Sequence, residues 1–130
     1  MKGIYVLIIL VDKNIDVNVG ALGKISFKKG LYAYVGSAQN NLEKRVKRHF
    51  KKHKRSFWHI DYLLLKTHVK IVKVFYKDAG KAEECRVAEE LNRKGAPITG
   101  FGSSDCKCKS HLIRIKDYWF LKESMEEMNS

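Results

Sequence analysis

Gly30 to Phe50 reads GLYAYVGSAQNNLEKRVKRHF, and the change of period inside it decides the fold. Leu31, Ala33 and Val35 alternate with Tyr32 and Tyr34, the period of a strand. Gly36 halts it, and the polar turn from Ser37 to Asn41 offers side chains able to cap a helix. From Leu42 the apolar residues recur every fourth position, as Leu42, Val46 and Phe50, the stripe of a helix lying on a core. On a helical wheel Arg45 and His49 fall on one shoulder of that stripe. Lys44, Lys47 and Lys51 face away from it, and Arg48 points off it toward solvent. A strand end bearing tyrosines, a glycine, then a helix presenting Arg and His beside its buried face is a layout suited to holding a phosphate.

Upstream of this stretch, Ile4 to Val11 is apolar at every position, as expected of a strand covered on both faces. Ile15, Val17 and Val19 alternate with polar residues, and Ile25 and Phe27 alternate again, which predicts a meander of up to four short antiparallel strands ending at Tyr34. Downstream, Phe57 to Leu65 is apolar on too wide an arc for a surface helix and reads as a packing element. Its polar points, His59 and Asp61, read as a mutually satisfied pair at the edge of the core; the alternative places His59 near a substrate. Val69 to Tyr76 reads as a strand, and Lys81 to Lys94 as a helix ended by Gly95 and Pro97. In that helix Ala82, Cys85, Val87, Ala88 and Leu91 define a buried arc, and Glu84 lands inside it. A carboxylate so placed needs compensation, either a cation such as Arg86 or a lysine of the basic helix, or a metal ion. Gly100 to Asp105 is read as a loop, His111 to Ile115 as a last strand, and Tyr118 to Glu127 as an amphipathic helix covering an edge. The predicted fold is a small single-domain α+β structure over residues 1–123, a mostly antiparallel sheet flanked by helices, with 124–130 as a tail.

The 130 residues and 45% apolar content suit one domain with one core. The formal charge of +12 points to a polyanionic partner, nucleic acid before membrane. Residues 42–55 hold eight Lys or Arg against one Glu, so the charge is concentrated in one helix and its exit. A charge run is otherwise a solvated face; its place beside the phosphate layout favours binding through Lys44, Lys47, Arg48 and Lys51. The longest apolar run, Ile4 to Val11, is far short of the ~20 residues a membrane span needs. Met1-Lys2 before it imitates a signal peptide, but no small-residue cleavage site follows. Three cysteines do not make a disulfide framework, and a reducing cytoplasm is the expected setting.

Gly3-Ile4-Tyr5 at the first strand, Tyr34-Val35-Gly36 at the later one, and Leu42-x-x-Arg45 in the helix together resemble the signature of the GIY-YIG nuclease superfamily. The resemblance is to its Uri-type branch, through GSA after the second tyrosine, WHIDYL, ECR and GFGSSDC-C-SHL, blocks that run from Gly3 to Leu112. The 28 residues between Tyr5 and Tyr34 exceed the short hairpin usual in that superfamily, so the two tyrosine strands must still meet side by side. The resemblance implies a metal-dependent endonuclease hydrolysing phosphodiester bonds. Arg45 would clamp the scissile phosphate, Tyr5 and Tyr34 would orient or deprotonate the water, and His49 is a second candidate for that base. Glu84, in Glu84-Cys85-Arg86, stands where the superfamily keeps its metal-binding glutamate, here for one Mg²⁺ or Mn²⁺. Without the paired motif the tyrosines would be ordinary strand aromatics. A binding module of the same fold without cleavage is the alternative function.

Cys106-x-Cys108-x-x-His111 carries three soft ligands. Zinc there is the disfavoured reading, because a structural site takes four ligands and C-x-C is not the common pair. Cys85 is the remaining candidate for a fourth.

Overall fold

Strand β1 (Gly3–Val11) pairs antiparallel with β4 (Gly30–Ala38) along its whole length, from Gly3 opposite Ala38 to Val11 opposite Gly30. The two tyrosine strands therefore meet side by side, as the motif requires. The computed structural model describes residues 1–103 and 106–128. Ser104 and Asp105 of the expected loop, and Asn129 and Ser130 of the expected tail, lie outside the described residues. On its other edge β1 pairs antiparallel with β5 (Val69–Lys77), which explains why it is apolar at every position. With β6 (Ala96–Pro97), β7 (Leu112–Ile115) and β8 (Glu126–Glu127) the sheet has the order β6-β7-β4-β1-β5-β8, antiparallel at every pairing.

The pleat sorts β1 between two cores. Tyr5, Leu7, Ile9 and Val11 pack on one face with Leu42 and Val46 of α1 (Leu42–Phe50) and Ile60, Leu63 and Leu64 of α2 (His59–Leu64). Ile4, Val6 and Ile8 pack on the other with Val87, Ala88 and Leu91 of α3 (Ala82–Lys94) and Leu121 of α4 (Leu121–Ser124). The fold is the predicted small α+β domain, a mainly antiparallel sheet flanked by helices.

Local departures from the sequence reading have identifiable causes. The expected four-strand meander does not form: β2 (Ile15–Asn18) and β3 (Lys24–Phe27) make a separate two-stranded sheet. Both edges of β1 are already taken by β4 and β5, so the hairpin folds over the sheet and buries Val17, Val19 and Phe27 against the first core. In α1 Asn41 caps the first turn, accepting from the Lys44 N–H at 3.0 Å, as the polar turn predicts. Its buried stripe is Leu42, Val46 and His49 rather than one ending in Phe50, which lies 52% exposed where the helix stops. Ala82, expected in the buried arc of α3, is exposed on its first turn. The expected helix from Tyr118 to Glu127 is helical only over Leu121–Ser124. Glu126 and Glu127 then pair with Tyr76 and Phe75, and Met128 N–H donates to the Val74 carbonyl, so the expected tail covers the open edge of β5.

Candidate functional site

Register alone brings the two tyrosines together. Tyr5 sits opposite Gly36 and Leu7 opposite Tyr34, so both phenols rise from the α1 face of the sheet two positions apart. The Tyr5 ring crosses directly over Gly36, where an added Cβ would lie 2.5 Å from its Cζ and Oη. Only glycine admits that crossing. The Tyr5 hydroxyl ends 2.8 Å from Nε2 of His49, whose ring also packs against Tyr34 and Trp58. Burial, reinforced by Lys54 nearby, pushes His49 down from 6.5 to about 3, so it is neutral at physiological pH. Burial pushes Tyr5 and Tyr34 above the ordinary tyrosine value, with Arg45 beside them pulling the other way, and both phenols are protonated at neutral pH. His49 thus stands behind Tyr5 as its hydrogen-bond partner. His49, the second candidate for the base, reaches the cleft through Tyr5 and is not among the residues that line it.

Ser37 joins the two sides of the sheet. Its carbonyl accepts from Arg45 Nη1 at 3.0 Å on the α1 side, and its hydroxyl donates to Glu84 Oε1 at 3.4 Å on the α3 side. Arg45 lies flat on the Trp58 indole, its Cζ 4.6 Å from the ring centre, which fixes the plane of the fork. Tyr5, Tyr34, Ser37, Arg45, Trp58 and Glu84 all line one cleft of about 480 Å³ at this end of the sheet. Lys81, Gln39 and the exposed Phe57 also border it. Sequence reasoning missed Ser37 and Trp58 as site residues; the aromatic pair Phe57-Trp58 directly after the basic run was the available signal.

Arg48 does not behave as the wheel predicts. It bends back over Trp58, 4.5 Å from the ring centre, and grips the fully buried Asp61 with both Nη atoms at 3.0 and 3.1 Å. Asp61 also accepts from the Phe57 and Trp58 backbone N–H groups at 2.8 and 2.9 Å. Burial alone would raise its pKa, but the Arg48 fork and those N–H donors outweigh it and hold the carboxyl below its ordinary value. Lys54 caps the end of α1 through the Arg48 and His49 carbonyls and lies 3.7 Å from Asp61. Lys52 donates to the carbonyls of Leu64, Lys66 and Val69, tying the end of α2 to the start of β5. Part of the charge run is therefore structural. Lys44, Lys47 and Lys51 are exposed, as the helical wheel predicts.

His59 is not the partner of Asp61 that the sequence suggested. Its Nδ1 accepts from Gly102 N–H at 2.9 Å, leaving its proton on Nε2, and it lines the cleft; burial lowers its pKa. Gly102, at φ +69°, packs against Tyr34 and His111 and brings the loop before β7 onto the site. In that loop Cys106, Cys108 and His111 meet Cys85 of α3, and their ligating atoms all lie within 4.8 Å of one another. This group could hold a metal ion, and it supplies the fourth ligand whose absence disfavoured zinc in the sequence. Among the described residues no helix is long and apolar enough to cross a membrane.

A family model described as Domain of unknown function DUF123 matches residues 4–130, and the chain belongs to that family. No curated protein and no solved structure matches the chain.

Proposed function

Membership of a family of unknown function hands this chain no activity, and we propose from the cleft itself that the domain is a metal-dependent endonuclease of the GIY-YIG type. Its substrate is nucleic acid, with DNA favoured. One observation supports the reading above the others. Four elements that need not have met, β1, β4, α1 and α3, deliver Tyr5, Tyr34, Arg45 and Glu84 to one cleft. Phosphodiester hydrolysis needs an activated water, charge neutralisation at the leaving oxygen and donors for the developing phosphorane.

Arg45 serves as the donor fork. Its plane is set by Trp58 and by the Ser37 carbonyl, so a phosphate meets a preorganised guanidinium. The two phenols, protonated at neutral pH, orient the attacking water and a phosphate oxygen by hydrogen bonds, and His49 holds Tyr5 in place. Glu84 has a side chain only 13% exposed at the cleft wall, and a carboxylate whose coordination partners are otherwise waters suits a hard cation such as Mg²⁺ or Mn²⁺. The chemistry such an ion supplies when bound is a water of lowered pKa and positive charge at the phosphate. Lys44, Lys47 and Lys51 follow the flanking backbone as point charges, while Arg48 is withdrawn from that set by Asp61.

Plasmid nicking with Mg²⁺ or Mn²⁺, repeated with chelator, tests the proposal. Wild type should cleave only with metal. Glu84→Gln should fold and bind DNA at least as well, yet lose cleavage by a hundredfold or more, about 2.7 kcal/mol of barrier. Normal specific activity in Glu84→Gln with a lowered melting temperature would make Glu84 a structural residue. Tight DNA binding without cleavage by wild type would reduce the domain to a binding module.

A further inference from the structure

We propose that Cys85, Cys106, Cys108 and His111 form a closed structural zinc site, and that Glu84 is the carboxylate that orients its histidine. Three thiols and one imidazole are a complete tetrahedral set for zinc, with no position left open for substrate. With Zn–S bonds of about 2.3 Å, ligand atoms in such a tetrahedron lie about 3.8 Å apart. Cys106 Sγ and His111 Nε2 are 3.4 Å apart, and no pair in the group exceeds 4.8 Å, so sub-ångström shifts close the cage. The thiols are free of disulfides.

The orientation of His111 is the second, independent observation. Its ring is 97% buried, Nε2 faces the thiols, and Nδ1 lies 3.6 Å from Glu84 Oε2. A ligating histidine characteristically gives its other nitrogen to a carboxylate, which fixes both tautomer and ring plane. Glu84 precedes Cys85 on α3, so one turn of helix reaches the site with both a ligand and the group that backs a ligand. The ligands come from two distant segments, α3 and the loop before β7. The ion would therefore pin that loop, with Phe101 and Gly102 against Tyr34 and His59, to the wall of the cleft. This site stands whether or not the domain cleaves nucleic acid.

Metal analysis of the full chain purified without added metal should return one zinc per chain. After removal of zinc and addition of Co²⁺, the protein should show thiolate-to-cobalt charge transfer and the intense visible bands of tetrahedral cobalt. Cys85→Ser should weaken zinc binding by a hundredfold or more, because it removes a ligand contributed by the helix. Glu84→Gln should keep the zinc but weaken it by tenfold or more, the usual scale for the partner of a ligating histidine. If Cys85→Ser fails to fold, the cobalt spectrum of the wild-type chain still decides. Metal-free protein with the same melting temperature, iron in place of zinc, an octahedral cobalt spectrum, or zinc affinity unchanged in Cys85→Ser would each overturn the proposal.

Discussion

Acidification should expose His49 as a thermodynamic burden that the fold carries in order to hold Tyr5. In the unfolded chain this ring takes up a proton at 6.5; in the folded protein burial and Lys54 hold it off until about 3. Between those values the unfolded state binds more protons, so stability rises with pH through the window and is lost as pH falls from 6.5. From pH 7 to pH 4.5 the loss is about 2.5 kcal/mol, since each unit of separation is worth about 1.4 kcal/mol. Because pH 4.5 already lies above the folded value, the figure depends almost wholly on the unfolded one. For a domain of this size it corresponds to about 10 °C in melting temperature. His49→Gln keeps hydrogen-bonding capacity toward Tyr5 but cannot titrate. Asp61 and the other carboxylates contribute equally to both proteins, so the difference between two melting series isolates the histidine. The wild-type curve should fall more steeply than the variant curve, by about 10 °C across this range. Parallel curves would mean that the folded ring accepts a proton near 6.5, and would refute the burial argument.

The two neighbouring arginines should separate by readout. Arg48→Ala, which strips the fork from a fully buried Asp61, should cost about 3 kcal/mol of stability in a denaturant melt. Arg45→Lys should leave the melt near wild type and reduce cleavage tenfold or more, by losing the flat fork on Trp58. Equal effects in both assays would remove the case for Arg45 at the phosphate. Gly36→Ala should displace a Tyr5 ring that His49 pins, with about 1–3 kcal/mol of destabilisation and loss of cleavage. A variant with wild-type melting and activity would show that the ring moves aside freely.

Much of the fold is legible along the chain because period is a local property. The switch from alternation at Leu31–Val35 to a four-residue repeat at Leu42–Val46 marks the start of α1, which Asn41 caps, although β4 runs past the expected stop at Gly36 to Ala38, held by pairing with β1. The unbroken apolar run of β1 announces a central strand, and Glu84 inside an apolar arc announces a carboxylate in need of a partner. Helical wheels, however, assign every side chain to a radial direction, and long side chains do not stay there. Arg48 leaves its solvent-facing position because Asp61, thirteen residues on, is buried and charged. His49 continues the buried stripe of Leu42 and Val46, and Phe50, where the helix stops, is left exposed. The hairpin of β2 and β3 leaves the main sheet because β5, which follows both helices of that face, takes the free edge of β1. The fourth thiol shows the same limit. Cys85 and Cys106 are twenty-one residues apart, and no local pattern ties them. Sequence alone determined most of the strands and helices and which residue types could do chemistry. Tertiary structure decided which of them meet, because a contact energy depends on distance in space and a periodicity does not encode it.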